Sequence, residues 1–302
     1  MAGNRRTLGR LIVTLVSLAL AAGVPMAPGG FAQGAPWSCP EPAASAPASA
    51  SPAASAVDEV TFPAEGGTLT VFAAASLTDA FTEIAADLEA ANPGLTITYN
   101  FAGSQTLVTQ MTEGAAADVF ASANLAQMTA AVEAGLIAGE PEPFVSNRLA
   151  IVVPSDNPAA LASAADLATD GLRLVLAQAE VPVGAYARQA VCLMGQDSAA
   201  YGEDFVARVA ANVVSEEDDV REVLTKVQLG EADAGIVYVS DAAVAGDDVE
   251  LIEIPDPVNV LATYPIAPVV AGDPGLSAAF IAYLLGPDGR ETLAAYGFGP
   301  VP

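Results

Sequence analysis

The chain has 302 residues, with 10 basic and 36 acidic side chains, no histidine, and a formal charge of −26. At roughly 100–200 residues per domain this length allows about two domains with well-filled cores. A surface this acidic repels phosphate backbones and anionic lipid, so no nucleic-acid partner is expected. Without histidine there is no Ser–His–Asp or Cys–His catalysis and no His-ligated metal.

The chain opens with Arg5, Arg6 and Arg10, then an apolar run from Leu11 to Val24, and a small-x-small candidate cleavage site at Gly30-Phe31-Ala32. That run is shorter than the roughly 20 residues a spanning helix needs and suits an export signal over residues 1–32. A retained N-terminal anchor is the alternative, and Arg5-Arg6 matches the twin-arginine pattern only loosely. Either way, the remainder is expected to work outside the cytoplasm. Removing the segment takes three positive charges and leaves a net charge of −29.

Residues 33–66 are read as a disordered tether, because Pro40 to Ala56 is Pro, Ala and Ser except for Glu41. Such a composition buries too little apolar surface to offset the entropy of ordering. The two cysteines, Cys39 and Cys192, are too few for a disulfide scaffold and too far apart for a CxxC motif. A bridge between them, a free Cys39 and a lipidated Cys39 stay open, although Pro36-Trp37-Ser38 lacks the aliphatic residue a lipidated cysteine usually has three positions before it.

Beyond the tether, strands and helices alternate. Strands are predicted at Leu69–Ala73, Leu95–Phe101, Asp118–Ala121, Leu149–Val153 and Leu172–Ala177, and again at Asn212–Val214, Ala234–Tyr238, Val249–Ile254 and Thr263–Val270. Helices are predicted at Ser76–Ala91, Ser104–Thr112, Ala126–Ala134, Ala159–Leu167, Ala185–Met194, Glu203–Ala210, Arg221–Leu229, Leu276–Leu285 and Gly289–Tyr296. This alternation implies parallel α/β sheets, and about 235 residues of it imply two lobes. Ligands of such sheets sit beyond the strands' carboxyl ends, where helices begin.

Five corners there could carry chemistry. Ser76 stands at a predicted helix start with Asp79 three residues on, which suits either an ordinary N-cap or an anion site. Ser104 repeats the arrangement after Gly103. Pro182-Val183-Gly184 leaves the Val183 amide free at another helix start. Glu216-Glu217-Asp218-Asp219 precedes Val220 and lacks the alternating ligand spacing of a calcium loop, so it reads as helix-capping acids. Tyr238 ends a strand, either as a core aromatic or as a neutral phenol donor.

Taken in order, the segments Thr70–Thr78, Phe101–Ser104, Ala117–Ala123, Val181–Ala187, Glu217–Arg221, Gly235–Ala242 and the closing Tyr296-Gly297-Phe298 closely resemble the extracytoplasmic molybdate-binding proteins of molybdate ABC transporters. The resemblance covers about residues 67–298. It implies a two-lobed type II periplasmic binding protein fold, with residues 67–147 and 264–302 in one lobe and 148–263 in the other. It implies oxyanion contacts from the Ser76 and Ser104 hydroxyls, the Val183 and Val220 main chains and the Tyr238 hydroxyl, with no cofactor and no direct metal ligand. It further implies a non-catalytic monomer that hands molybdate or tungstate to a membrane permease. Two departures stand out: Val183 where the family usually has Ala, and Gly103 where Ser is common.

None of the five contacts is basic. Recognition would rest on charge-assisted hydrogen bonds, each contributing roughly 1.5–3 kcal/mol, fixed before the ligand arrives. Donors alone disfavour an oxyanion that still carries a proton, which separates molybdate, tungstate and sulfate from phosphate. The alternatives are the same fold tuned to sulfate, thiosulfate or another oxyanion, a ferric-iron binder lacking its usual second tyrosine, and a hydrolase whose serine has only Lys226 or a carboxylate for a base.

Overall fold

The computed structural model describes residues 37, 39, 61–64 and 66–302. The export segment read at 1–32, and the tether apart from residues 37, 39, 61–64 and 66, lie outside the described residues. The first lobe is built from β1 (Gly67–Ala74), α1 (Thr78–Ala91), β2 (Leu95–Ala102), α2 (Ser104–Thr112), β3 (Val119–Ala121) and α3 (Leu125–Glu133). The 13-residue β4 (Glu142–Pro154) leads into the second lobe, made of β5 (Leu174–Ala177), α4 (Pro182–Gln196), α5 (Ser198–Tyr201), α6 (Phe205–Asn212), β6 (Val213–Glu217), α7 (Val220–Gln228), β7 (Ala234–Tyr238), α8 (Val239–Ala245) and β8 (Val249–Glu253). The chain then returns through β9 (Leu261–Pro268), α9 (Pro274–Leu285) and α10 (Pro287–Ala295).

Strand pairing runs β2-β1-β3-β9-β4-β7-β5-β6, with β8 also on β4. The pairs of β1 with β2 and β3, and of β5 with β6 and β7, are parallel, as the alternation of strands and helices predicts. Every pair involving β4 or β9 is antiparallel, so the sheets are mixed, in contrast to the all-parallel expectation. The difference comes from the crossings between lobes. Residues Glu142–Arg148 of β4 pair with β9 on the first-lobe side, and Leu149–Pro154 pair with β7 and β8 on the second.

The first half of β4 went unpredicted because its apolar pattern is broken. Ser146 and Asn147 are buried there, their side chains donating to Pro300 O and Ser240 Oγ. The helix predicted at 159–167 is also absent. Asn157 and Ala160 adopt positive φ, the Asn157 side chain bonds both the N–H and the C=O of Leu161, and only a 3₁₀ turn forms at Ala164–Ala168.

Core side chains explain the layering. Leu69, Val71 and Ala73 on one face of β1 join a large apolar cluster, and Phe72 on the other packs with Leu107, Met111, Phe120 and Met128. Helices cover both faces, which is why the central strands read as continuous apolar runs.

Cys39 and Cys192 form a disulfide, which settles the pairing left open by the sequence and leaves Cys39 no thiol for a lipid. Trp37 packs on the core with the Arg188 guanidinium 5.2 Å from its ring centroid. Arg188 and Cys192 lie one turn apart on α4, so residues 37 and 39 clip onto one face of that helix. The head of the expected tether is therefore stapled to the second lobe.

Candidate functional site

Ser76, Ser104, Val183, Val220 and Tyr238 all line one cavity between the lobes, and none is more than 4% exposed. The space is small. The centre of a water-sized sphere has about 10 Å³ in which to move, equivalent to a cavity roughly 2.7 Å in radius once the sphere's own ~1.4 Å is included. That is the scale of one small ion. A larger groove of about 490 Å³ lies over β8, between Ser163 and Glu250, and gathers no such set of donors.

Ser76 does not cap α1. It sits in a 3₁₀ turn, Ala75–Leu77, where its hydroxyl is free of any capping bond and lies 2.9 Å from Tyr264 Oη. Ser104 is the first residue of α2 after the N-cap Gly103, and its Oγ accepts the Ala123 amide at 3.0 Å. Both hydroxyl groups are thus released from the local role that serines at helix starts usually take.

On the other lobe, Pro182 and Val183 open α4, and Asp219 caps α7 by accepting from the Arg221 and Glu222 amides at 2.7 and 3.1 Å. The Val183 and Val220 amides find no backbone acceptor among the described residues. First-turn amides at the positive end of a helix dipole are suited to an anion. Gly184 is required where α4 meets the end of β5, since a Cβ there would come 2.0 Å from Gln178 O.

The Tyr238 hydroxyl is buried and makes no hydrogen bond, and burial raises its pKa well above the ordinary phenol value, so it stays a neutral donor. Asp219 also lines the cavity, with one carboxylate oxygen turned to the amides of its own helix. The neighbouring acids are each engaged elsewhere: Glu216 with Arg188, Glu217 with Lys226, and Asp218 with Gln178.

Three contacts close the seam between the lobes. Gln105 Nε2 donates to Asp218 O at 2.9 Å, Gln127 Nε2 to Glu180 O at 3.1 Å, and Arg221 Nη2 pairs with Asp79 at 2.6 Å. Arg221 Nε also lies 2.9 Å from Asp241, which is fully buried. Burial raises the Asp241 pKa from 3.8 to about 6, against the lowering effect of Arg221. Gly103 belongs to this seam too, because a Cβ there would stand 2.5 Å from Asp218 O.

Sequence reasoning missed Tyr264, Asp241 and the Asp79–Arg221 pair. Tyr264 lies within a strand, away from any strand-to-helix corner, and only its position in space marks it.

Comparison with known proteins decides the family. Residues 69–299 match the model for bacterial extracellular solute-binding proteins. The chain belongs to that family. This solute-binding protein is 41% identical over 238 residues to the molybdate-binding protein ModA of Mycobacterium tuberculosis, covering 78% of this chain and 86% of that one. It is 34% identical over 243 residues to ModA of Escherichia coli, covering 78% and 90%. Among solved structures it resembles the substrate binding domain of a putative molybdenum ABC transporter from Clostridium difficile, with 28% identity, a TM-score of 0.57, and coverage of 78% and 99%. The two-lobed α/β type II binding fold agrees with these relatives. Members of this family are exported binding proteins, and no helix among the described residues is long and apolar enough to cross a membrane.

Proposed function

We propose that this solute-binding protein captures molybdate, and with it tungstate, in the interlobe cavity and delivers it to the permease of an ABC transporter. The observation that supports this most is the gathering of five residues that can each present a neutral donor around one small interlobe cavity. Ser76, Ser104 and Tyr238 would each donate a hydroxyl proton, and Val183 and Val220 their amides. This reading involves no catalysis, and in its support Ser104 Oγ and Ser76 Oγ have a backbone amide and a neutral phenol as partners, neither of them a base. An N-terminal tether to the cell surface would leave from α4, where residues 37 and 39 attach.

Thermal unfolding of dialysed protein with molybdate, tungstate, sulfate and phosphate tests this reading. A ligand that binds only the folded state adds about 4 kcal/mol at a thousandfold excess over its Kd. Large shifts with molybdate and tungstate alone are expected. A shift with sulfate alone would move the ligand and keep the site, and no shift with any of the four would overturn the oxyanion reading.

A further inference from the structure

Hydrogen-bond donors converging on an anion must keep their protons pointed at it. For Ser104 this is arranged from behind: its Oγ accepts the Ala123 amide, an N–H cannot accept in return, and the hydroxyl proton is left to face the cavity. For Ser76 the group behind is Tyr264 Oη, at 2.9 Å, and by distance alone either oxygen could be the donor.

Counting protons resolves the direction. Tyr264 is fully buried, and burial raises its pKa far beyond the ordinary phenol value, so it holds its proton and must place it. The adjacent Asn147 faces the Tyr264 oxygen as a donor, with its Oδ1 taking the Arg148 amide at 2.9 Å and its Nδ2 also donating to Ser240 Oγ at 2.8 Å. Tyr238 packs edge-on against the Tyr264 ring with centroids 5.7 Å apart, and among the described residues its hydroxyl meets no partner at hydrogen-bonding geometry, the nearness of the Tyr264 hydroxyl serving to raise its pKa. Ser76 Oγ is left as the acceptor. The edge-on rings of Phe144 and Phe298 complete a box that holds the Tyr264 ring in place.

We propose that Tyr264 is a positioning and specificity-determining residue of the oxyanion site, donating to Ser76 Oγ so that the Ser76 proton is turned to the ligand. The inference rests on the oxyanion reading above and deepens it. With Tyr264 on one lone pair and its own proton released toward the cavity, Ser76 receives the proton of hydrogen phosphate less readily, while the polarised hydroxyl is a stronger donor to an unprotonated dianion. The same arrangement exists twice, once with a main-chain amide behind Ser104 and once with a phenol behind Ser76, and the phenol can be removed by mutation.

The test is a double-mutant cycle on the full exported chain: wild type, Tyr264→Phe, Ser76→Ala and the double variant, with molybdate and phosphate affinities measured by calorimetry. Tyr264→Phe is expected to weaken molybdate about tenfold, to narrow the molybdate-to-phosphate ratio by at least that factor, and to have less than a twofold effect in the Ser76→Ala background. An equal loss in both backgrounds would show that the ring shapes the cavity and would overturn the proposal, as would no loss with Ser76 present. Should Tyr264→Phe fail to fold, proton NMR of the wild type reads the same direction. A slowly exchanging Tyr264 hydroxyl proton close to the Ser76 β-protons supports the proposal, and a Ser76 hydroxyl proton directed at the Tyr264 oxygen overturns it. A wild type that binds molybdate while Tyr264→Phe matches it overturns only this inference; a wild type that binds no oxyanion overturns the site reading with it.

Discussion

The two lobes furnish the cavity in different currencies of structure. The first supplies hydroxyl groups, Ser76 and Ser104, whose identity is fixed by sequence and whose protons are aimed by neighbours. The second supplies one hydroxyl, Tyr238, and the Val183 and Val220 amides, which any non-proline residue possesses, so the position of those amides depends on where α4 and α7 begin. The interiors differ in parallel. Buried polar residues of the first lobe near the site are neutral (Ser76, Ser104, Ser122 and Asn124), whereas the second buries Asp241 and Glu217. A site with side-chain donors alone on one lobe and mostly main-chain donors on the other should therefore respond to substitution chiefly on the first and to displacement chiefly on the second.

The largest effect is expected at the staple on α4. The disulfide closes a separation of 153 residues, and the loop-entropy model attaches about 5 kcal/mol to a loop of that length. Cys192→Ser should lower the unfolding temperature sharply. Molybdate affinity, measured well below the transition, should stay within a few-fold, because Pro182 and Gly184 still fix the start of the helix. An affinity collapse would show that the second lobe's amides depend on the clip as well as on the helix start.

Next comes the buried carboxyl of the second lobe. Asp241 has its pKa raised from 3.8 to about 6, through burial opposed by Arg221, with Asp219 and Asp79 adding to the rise. The folded state then holds this proton more tightly than the unfolded chain does. The cost of ionising it in place is absent below pH ~4, grows between pH ~4 and ~6, and is constant above that. Urea denaturation of wild type and Asp241→Asn should show the wild type gaining on the variant as the pH falls from 7 to 4, by up to about 3 kcal/mol. A difference that stays flat would mean that Arg221 compensates the burial fully.

The comparison between lobes is broken most directly at the donors themselves. Ser104→Ala should lose a charge-assisted hydrogen bond, about 1.5–3 kcal/mol or ten- to a hundredfold in molybdate affinity. Val220→Ala, which keeps its amide, should cost only a few-fold. Comparable losses on the two sides would mean that packing around the cavity, rather than donor chemistry, governs binding.

Much of this was legible in the residues, for identifiable reasons. Ala234–Tyr238 and Ser104–Thr112 carry clean apolar runs and helix starts, and their structural bounds coincide with the predicted ones. The crossing half of β4 was hidden because Ser146 and Asn147 are buried for their hydrogen bonds to residues 154 and 93 positions away. The five site residues could be named because the motifs around them resemble those of molybdate-binding proteins, and each lies at a strand-to-helix corner or a strand end. Tyr264 could not, since its role depends on a contact 188 residues distant in sequence. The disulfide was undecidable for the same reason, as cysteine spacing says nothing about which helix face a tail will meet.

The smallest effect tests how the two halves stay together. Asp79 belongs to the first lobe and Arg221 to the second, and their side chains are 36% and 24% exposed. A pair so placed contributes about 1 kcal/mol at most after solvent screening. It forms only when the lobes meet, so its energy should show in the lifetime of the closed complex and hardly at all in the stability of either lobe. Asp79→Asn leaves Arg221 its partner within the second lobe, Asp241. The expected outcome is release of molybdate about fivefold faster, an unliganded unfolding temperature close to wild type, and a difference that shrinks as salt is added. If release is unchanged, the Gln105 and Gln127 bonds and the ligand itself hold the seam. The lobes are then joined by neutral contacts, and the charged pair merely accompanies closure.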